Sequence, residues 1–165
     1  MRSTAIYAGT FDPLAFGHLD LIERSAQIFE KLILAVAIST PKQVLFTIEE
    51  RVAMAKAAVA GLPNVEVDSF DCLLVEYARR RGAKVLIRGL RAFSDFESEF
   101  QMALINRKLA PEIETLFMMP KETHSYVSSS TVKQVAALGG DISGFVPPVV
   151  ERAVRARFTT RSGAR

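Results

Sequence analysis

Apolar residues fall in five short, near-continuous runs, separated by stretches where apolar positions recur every three or four residues. The runs are Ala5-Ile6-Tyr7-Ala8, Leu32 through Ile38, Val65-Glu66-Val67, Val85-Leu86-Ile87 and Thr115-Leu116-Phe117-Met118-Met119. Such runs predict strands covered on both faces. Between them, Thr47-Ile48-Glu49-Glu50 reads as a capping box opening a helix that reaches about Val59. Ser94-Asp95-Phe96-Glu97 reads as a second, and Phe93, Phe96, Phe100 and Leu104 form an apolar stripe on its helix. Further helices are predicted over 17–29, burying Ile22 and Phe29, over 73–80 with a stop at Gly82, and over 129–138 with a stop at Gly139-Gly140. Pro147 and Pro148 open a last one.

Strand alternating with helix implies parallel strands joined by right-handed crossovers. The expected fold is α/β, a single Rossmann-like doubly wound domain with a five-stranded parallel sheet. It is expected over residues 1–158, with 159–165 a basic, disordered tail. Sheets of this kind bind ligands outside the carboxyl ends of their strands, which directs attention to the segment after each run. Gly9-Thr10-Phe11-Asp12-Pro13 leads into Gly17-His18 at a helix start, with neither a dinucleotide fingerprint nor a P-loop. A helix N-terminus attracts phosphate, and His18 there is either a phosphate donor or a surface imidazole in a capping loop. Arg88 and Arg91 follow the fourth strand, where guanidinium forks suit polyphosphate oxygens. Lys42 follows the second strand, and Ser128-Ser129-Ser130 opens a helix after the fifth. Glu99 reads as a ribose acceptor or a solvated helix position, and His124 on its own as a polar loop residue.

Composition removes several alternatives. With 49% apolar and 24% charged residues over 165 positions, the chain is not disordered in bulk. Cys72 is alone, so no internal disulfide forms. No apolar run reaches the roughly 18 residues of a membrane helix, and the N-terminus lacks a signal layout, so the expected location is cytoplasmic. The net charge of +3 resides in residues 151–165, where five arginines face Glu151 alone. A basic end without a basic face implies no nucleic-acid partner. Two histidines and one cysteine make a four-ligand zinc site a poor reading, and no activated nucleophile is evident.

Taken together, Gly9 through Pro13 with Gly17-His18, Phe46 through Val52, Ile87-Arg88-Gly89-Leu90-Arg91 with Asp95-Phe96-Glu97 and Glu99, and Val127-Ser128-Ser129-Ser130 resemble the phosphopantetheine adenylyltransferase family of the nucleotidylyltransferases. The resemblance spans about residues 4–156. It implies transfer of AMP from ATP to 4′-phosphopantetheine, giving dephospho-coenzyme A and pyrophosphate, the penultimate step of coenzyme A synthesis. It places ATP against Thr10, Phe11, His18, Gly89, Leu90, Arg91 and Glu99, and against His124, Ser125, Tyr126, Val127, Ser128, Ser129 and Ser130. It places the acceptor against Thr10, Lys42, Leu74 and Arg88. It also implies Mg²⁺ held mainly by ATP phosphates, a homohexamer, and feedback inhibition by coenzyme A.

With a phosphate as acceptor, little deprotonation is needed, and catalysis reduces to positioning and charge stabilisation. His18 and Lys42 would hold the α-phosphate during direct in-line attack, assisted by Thr10, while Arg91, Ser129 and Ser130 steady pyrophosphate. Two positions depart from the family pattern: Ala15 replaces a threonine or histidine, and His124 stands where some members carry an aromatic residue. Two other readings stay open at this stage, a transferase of the same superfamily with a different phosphorylated acceptor and a non-catalytic nucleotide sensor.

Overall fold

The computed structural model describes residues 3–40, 43–91 and 93–162, with side chains described outside 93–95 and 160–162. Its strands are β1 (Thr4–Gly9), β2 (Lys31–Ala37), β3 (Val65–Phe70), β4 (Val85–Gly89) and β5 (Glu114–Met118). Its helices are α1 (Phe16–Ile28), α2 (Ile48–Ala58), α3 (Leu74–Arg80), α4 (Phe93–Leu109), α5 (Ser129–Ala137) and α6 (Pro148–Ser162), with a short 3₁₀ turn at Glu122–His124. All strand pairs are parallel, in the order β3-β2-β1-β4-β5.

That order follows from where the apolar runs are longest. On β1, Ala5 and Tyr7 point to one face and Ile6 and Ala8 to the other, and both sets are buried. One face packs on Leu21 and Ile22 of α1 and Ala55 of α2, the other on Val75 and Tyr77 of α3 and on Ala110 and Ile113 beyond α4. The sheet is therefore doubly wound, and the chain reverses direction between β1 and β4. Loops diverge there at the strands' carboxyl ends, leaving a crevice.

β3 and β5 are edges and are only partly buried, unlike the run-based expectation of strands covered on both faces. β3 is kept polar: Glu66 pairs with Lys31 and Arg81, and Asp68 with Arg81 and the Tyr77 hydroxyl. Charge on an edge discourages further strand addition.

The longest helix corrects two expectations. α4 begins at Phe93, so Ser94 falls within its first turn rather than before it. Its aromatic stripe faces outward, with Phe96, Phe100 and Leu104 each about half exposed at 48%, 47% and 49%. The inward stripe is Glu99, Ala103 and Asn106, leading to Ala110 just beyond the helix; Asn106 and Ala110 are buried and the other two partly so. The helix seats on the sheet by its small and polar side, and among the described residues nothing covers its apolar side.

A third apolar cluster joins Ala15, Phe46, Met54, Val132, Val150 and Val154, fastening α5 and α6 over the starts of α1 and α2. α6 runs to Ser162, past the boundary predicted at 158. Two of its arginines are locally neutralised: Arg155 bonds Glu151 at 2.8 Å and Asp141 at 3.1 Å, while Arg157 pairs with Glu50 over the Phe46 ring.

Candidate active site

β1 ends in a glycine for a steric reason. A Cβ on Gly9 would lie 3.0 Å from the Phe11 ring, which folds back over it. Phe11 holds a left-handed φ of 48°, and the Asp12–Pro13 bond is cis. A left-handed φ at a bulky residue such as Phe11 persists where surroundings over-determine it. The buried Asp12 carboxylate accepts the N–H groups of Leu45 and Phe46 at 2.8 and 2.9 Å and the Lys133 ammonium at 2.8 Å. Arg51 donates to the carbonyls of Thr10 at 2.9 Å, Ala37 at 2.8 Å and Phe46 at 3.2 Å. Sequence reading assigned no role to Asp12, Arg51 or Lys133. The available signal was Arg51 on the same helical face as the buried Met54 and Ala55.

His18 stands in the first turn of α1. Ala15, at the N-cap, has no side-chain oxygen to satisfy the helix start, and His18 supplies part of that function. Its Nδ1 accepts the Ala15 N–H at 3.0 Å. A nitrogen that accepts carries no proton, so in the neutral ring the proton is on Nε2. Burial, with Arg91 adding to it, pushes the imidazole down to about 4. His18 is thus a neutral ring with a committed Nδ1 and a donor Nε2–H, packed edge-on to Phe11 at 5.2 Å.

Across the crevice, Arg88 closes a fork on Glu99, with Nε to Oε2 at 2.7 Å and Nη2 to Oε1 at 2.6 Å, and also donates to the Ala8 carbonyl at 2.9 Å. Burial opposes its charge, but the Glu99 contacts prevail and raise its pKa. Both Glu99 oxygens are engaged by Arg88 in this arrangement. Gly89 gives Leu21 room, since a Cβ there would meet its Cδ1 at 2.7 Å. The Leu90 N–H bonds Met118 O at 2.9 Å, continuing the sheet. The Tyr7 phenol, buried beneath, is raised above its usual range by that burial.

The third wall follows β5. Asp20 accepts the Lys121 N–H at 3.0 Å, and Arg24 donates to Met119 O at 2.7 Å, so α1 holds this loop. His124 packs on Phe16 at 5.6 Å between ring centres, close over Gly17. Ser128 caps α5 by accepting the Thr131 N–H, and the Ser129 hydroxyl donates to Pro13 O at 2.8 Å. The first turn of α5 therefore meets the Phe11–Pro13 turn directly.

These walls enclose a cleft of about 250 Å³. Of the residues singled out in the sequence, it brings together Thr10, Phe11, His18, Arg88, Gly89, Arg91, Glu99, Val127, Ser128, Ser129 and Ser130, and Tyr7, Asp12 and Lys133 line it as well. His124, Ser125, Tyr126 and Leu90 do not line it. A second cavity of about 430 Å³ shares Gly9, Thr10, Arg88 and Glu99 with the first and continues past Leu73, Leu74, Met102 and Asn106. Lys42 lies outside the described residues. Among the described residues no cluster of three or more metal-ligating side chains occurs, and the cleft's carboxylates, Asp12 and Glu99, are held by Lys133 and Arg88.

Cations and N–H donors grouped at a switch point, with no dinucleotide fingerprint, are the arrangement of a nucleotidyltransferase. The cytidylyltransferase-like family model matches residues 6–135. Phosphopantetheine adenylyltransferase from Alkalilimnicola ehrlichii is 54% identical over 161 residues, covering 96% of this chain and 92% of that protein. The enzymes of the same name from Methylococcus capsulatus and Desulforudis audaxviator are each 54% identical, over 158 and 157 residues, covering 96% and 95% of this chain and 98% and 96% of theirs. The chain belongs to the phosphopantetheine adenylyltransferase family. A solved structure of a putative nicotinate-nucleotide adenylyltransferase from Vibrio parahaemolyticus shares the fold, with TM-score 0.68 at 19% identity over 93% of this chain and 99% of that one.

Proposed function

We propose that this enzyme transfers the adenylyl group of ATP to 4′-phosphopantetheine, forming dephospho-coenzyme A and pyrophosphate. The observation that carries the reading is the junction of two cavities at Thr10 and Arg88. The first, ringed by His18, Arg91 and the start of α5, suits a nucleoside triphosphate. The second, with Leu73, Leu74 and Met102 along it, suits a long acceptor with an amide-containing arm. Their shared boundary is where the acceptor phosphate would meet the α-phosphorus.

The acceptor phosphate oxygen forms the new bond to the α-phosphorus as the bond to the pyrophosphate bridging oxygen breaks. His18 donates its Nε2–H to an α-phosphate oxygen, Arg88 holds the acceptor phosphate, and Arg91 with Ser129 and Ser130 receives the leaving pyrophosphate. Lys42 belongs with His18 on the family pattern, and Thr10 contacts both substrates. Thr10, Phe11, Gly89, Leu90, Arg91, Glu99 and residues 124–130 are the ATP side; Thr10, Lys42, Leu74 and Arg88 are the acceptor side. Mg²⁺, held mainly by the ATP phosphates, would supply neutralisation of their charge when bound. The step contains no covalent adenylyl-enzyme, because among the described residues no activated nucleophile faces the cleft.

The chemistry is tested with ATP chiral at the α-phosphorus. Inversion in dephospho-coenzyme A supports direct transfer, and retention overturns it. Exchange of labelled pyrophosphate into ATP should require dephospho-coenzyme A. The outer face of α4 supports assembly with further copies of this chain as a homohexamer in the cytoplasm, tested by light scattering of the purified protein. Coenzyme A contains the acceptor arm and would compete for the second cavity, which product-inhibition kinetics would show.

A further inference from the structure

Arg51 is 2% exposed, yet it reaches from α2 to the Thr10 carbonyl, in the turn that lines the cleft. Its three carbonyl partners belong to three different segments. Thr10 follows β1, Ala37 ends β2, and Phe46 leads into α2. The first two carbonyls stand where the chain leaves the sheet, one beside the turn of Thr10, Phe11 and Asp12, the other just before Ser39 and Thr40, which line the second cavity. The third segment is held from its N–H side by the Asp12 carboxylate. Among the described residues no carboxylate lies within ion-pair distance of Arg51.

A buried cation bonded only to neutral carbonyls is an expensive way to stabilise a core. An apolar side chain could fill the same volume but could not join three carbonyls at fixed angles. The guanidinium plane does so because its donors are rigidly disposed. The loop it holds includes Phe11 with its left-handed φ of 48°, a backbone state that relaxes unless neighbours hold it.

We propose that Arg51 is a positioning residue for adenylyl transfer, fixing the Thr10–Asp12 turn to the ends of β1 and β2 so that the groups facing the α-phosphate are aligned before substrate arrives. The proposal rests on the site reading above, in which Thr10 and Phe11 face the nucleotide. Misplacement by about 1 Å of such groups costs up to roughly 100-fold in rate. Loss of the clamp therefore acts on kcat, while ATP still finds Arg91 and the start of α5.

The test uses Arg51→Lys, which keeps the charge but cannot span three carbonyls, and Arg51→Gln, which keeps a planar hydrogen-bonding head but loses the charge and the reach. Each is assayed as folded protein, with near-ultraviolet circular dichroism and the thermal midpoint recorded. Expected is a kcat per folded molecule lower by about 10- to 100-fold in both variants, with KM for ATP changed less than about threefold. Wild-type kcat alongside a lowered midpoint overturns the proposal, as does a rise in KM alone. Failure of both variants to fold also overturns it, since Arg51 would then serve the core. Wild-type kinetics with His18→Ala test the site reading separately, so its failure is distinguishable from failure of the clamp.

Discussion

Acidification should charge His18 only by dismantling its place in the fold. The ring's pKa falls from 6.5 to about 4 because burial and Arg91 disfavour the imidazolium, and protonating Nδ1 breaks its bond to the Ala15 N–H. In the unfolded chain the ring binds its proton near pH 6.5, so between 6.5 and 4 the unfolded state holds more protons than the native one. Stability is thus fully present above pH 6.5 and declines as pH falls towards 4. At pH 4.5 the full shift corresponds to about 2.5 kcal/mol lost relative to pH 7. His18 keeps part of its ring open to the cleft, so about 1–2 kcal/mol is expected. Urea unfolding of the wild type and of His18→Gln at both pH values isolates this contribution, since the other titrating groups cancel in the comparison. Nitrogen-15 spectra of the histidine ring provide the companion measurement, with a neutral Nε2–H tautomer expected throughout pH 5–8. A titration of His18 near 6.5, or equal pH sensitivity in the two proteins, would refute the reasoning.

His18→Ala should lower kcat by at least about 100-fold with ATP binding little changed, read by steady-state kinetics and calorimetry; near-wild-type kcat would remove the ring from the transition state. Glu99→Gln should raise KM for phosphopantetheine by roughly 10-fold, because it weakens a charge-assisted fork that aims Arg88; an effect confined to KM for ATP would show that Glu99 serves the nucleotide alone and does not aim Arg88. Deleting residues 159–165 should leave kcat/KM intact, since only the last turn of α6 is lost, and a large fall would show that this end reaches a site.

Strands and their order of succession were legible because β1, β2 and β4 are buried on both faces and leave continuous apolar runs. Cleft residues on the strand ends were legible for the same reason, since the doubly wound topology dictates where ligands go. Periodicity misread α4, because its aromatic stripe obeys the same spacing whether it meets the sheet or another molecule. Only the three-dimensional seating shows that Glu99, Ala103 and Asn106 face inward. The partnership of Glu99 with Arg88 was likewise hidden, as no local pattern links residues from a strand and a later helix. Asp12 and Arg51 were obscure because their partners are mostly backbone groups, which leave no trace in side-chain identity.

Lys133 reaches Asp12 across 121 positions of sequence, and Ser129 reaches Pro13 across 116. The nucleotide cleft thus has a birth order during translation. The turn after β1 emerges from the ribosome well before the wall that completes it, which follows 116 to 121 positions later. A nascent chain arrested before residue 133 clears the exit tunnel would hold half a cleft, with Asp12 short of its ammonium partner. Added ATP should protect the released, full-length chain from protease and leave the arrested one as vulnerable as before.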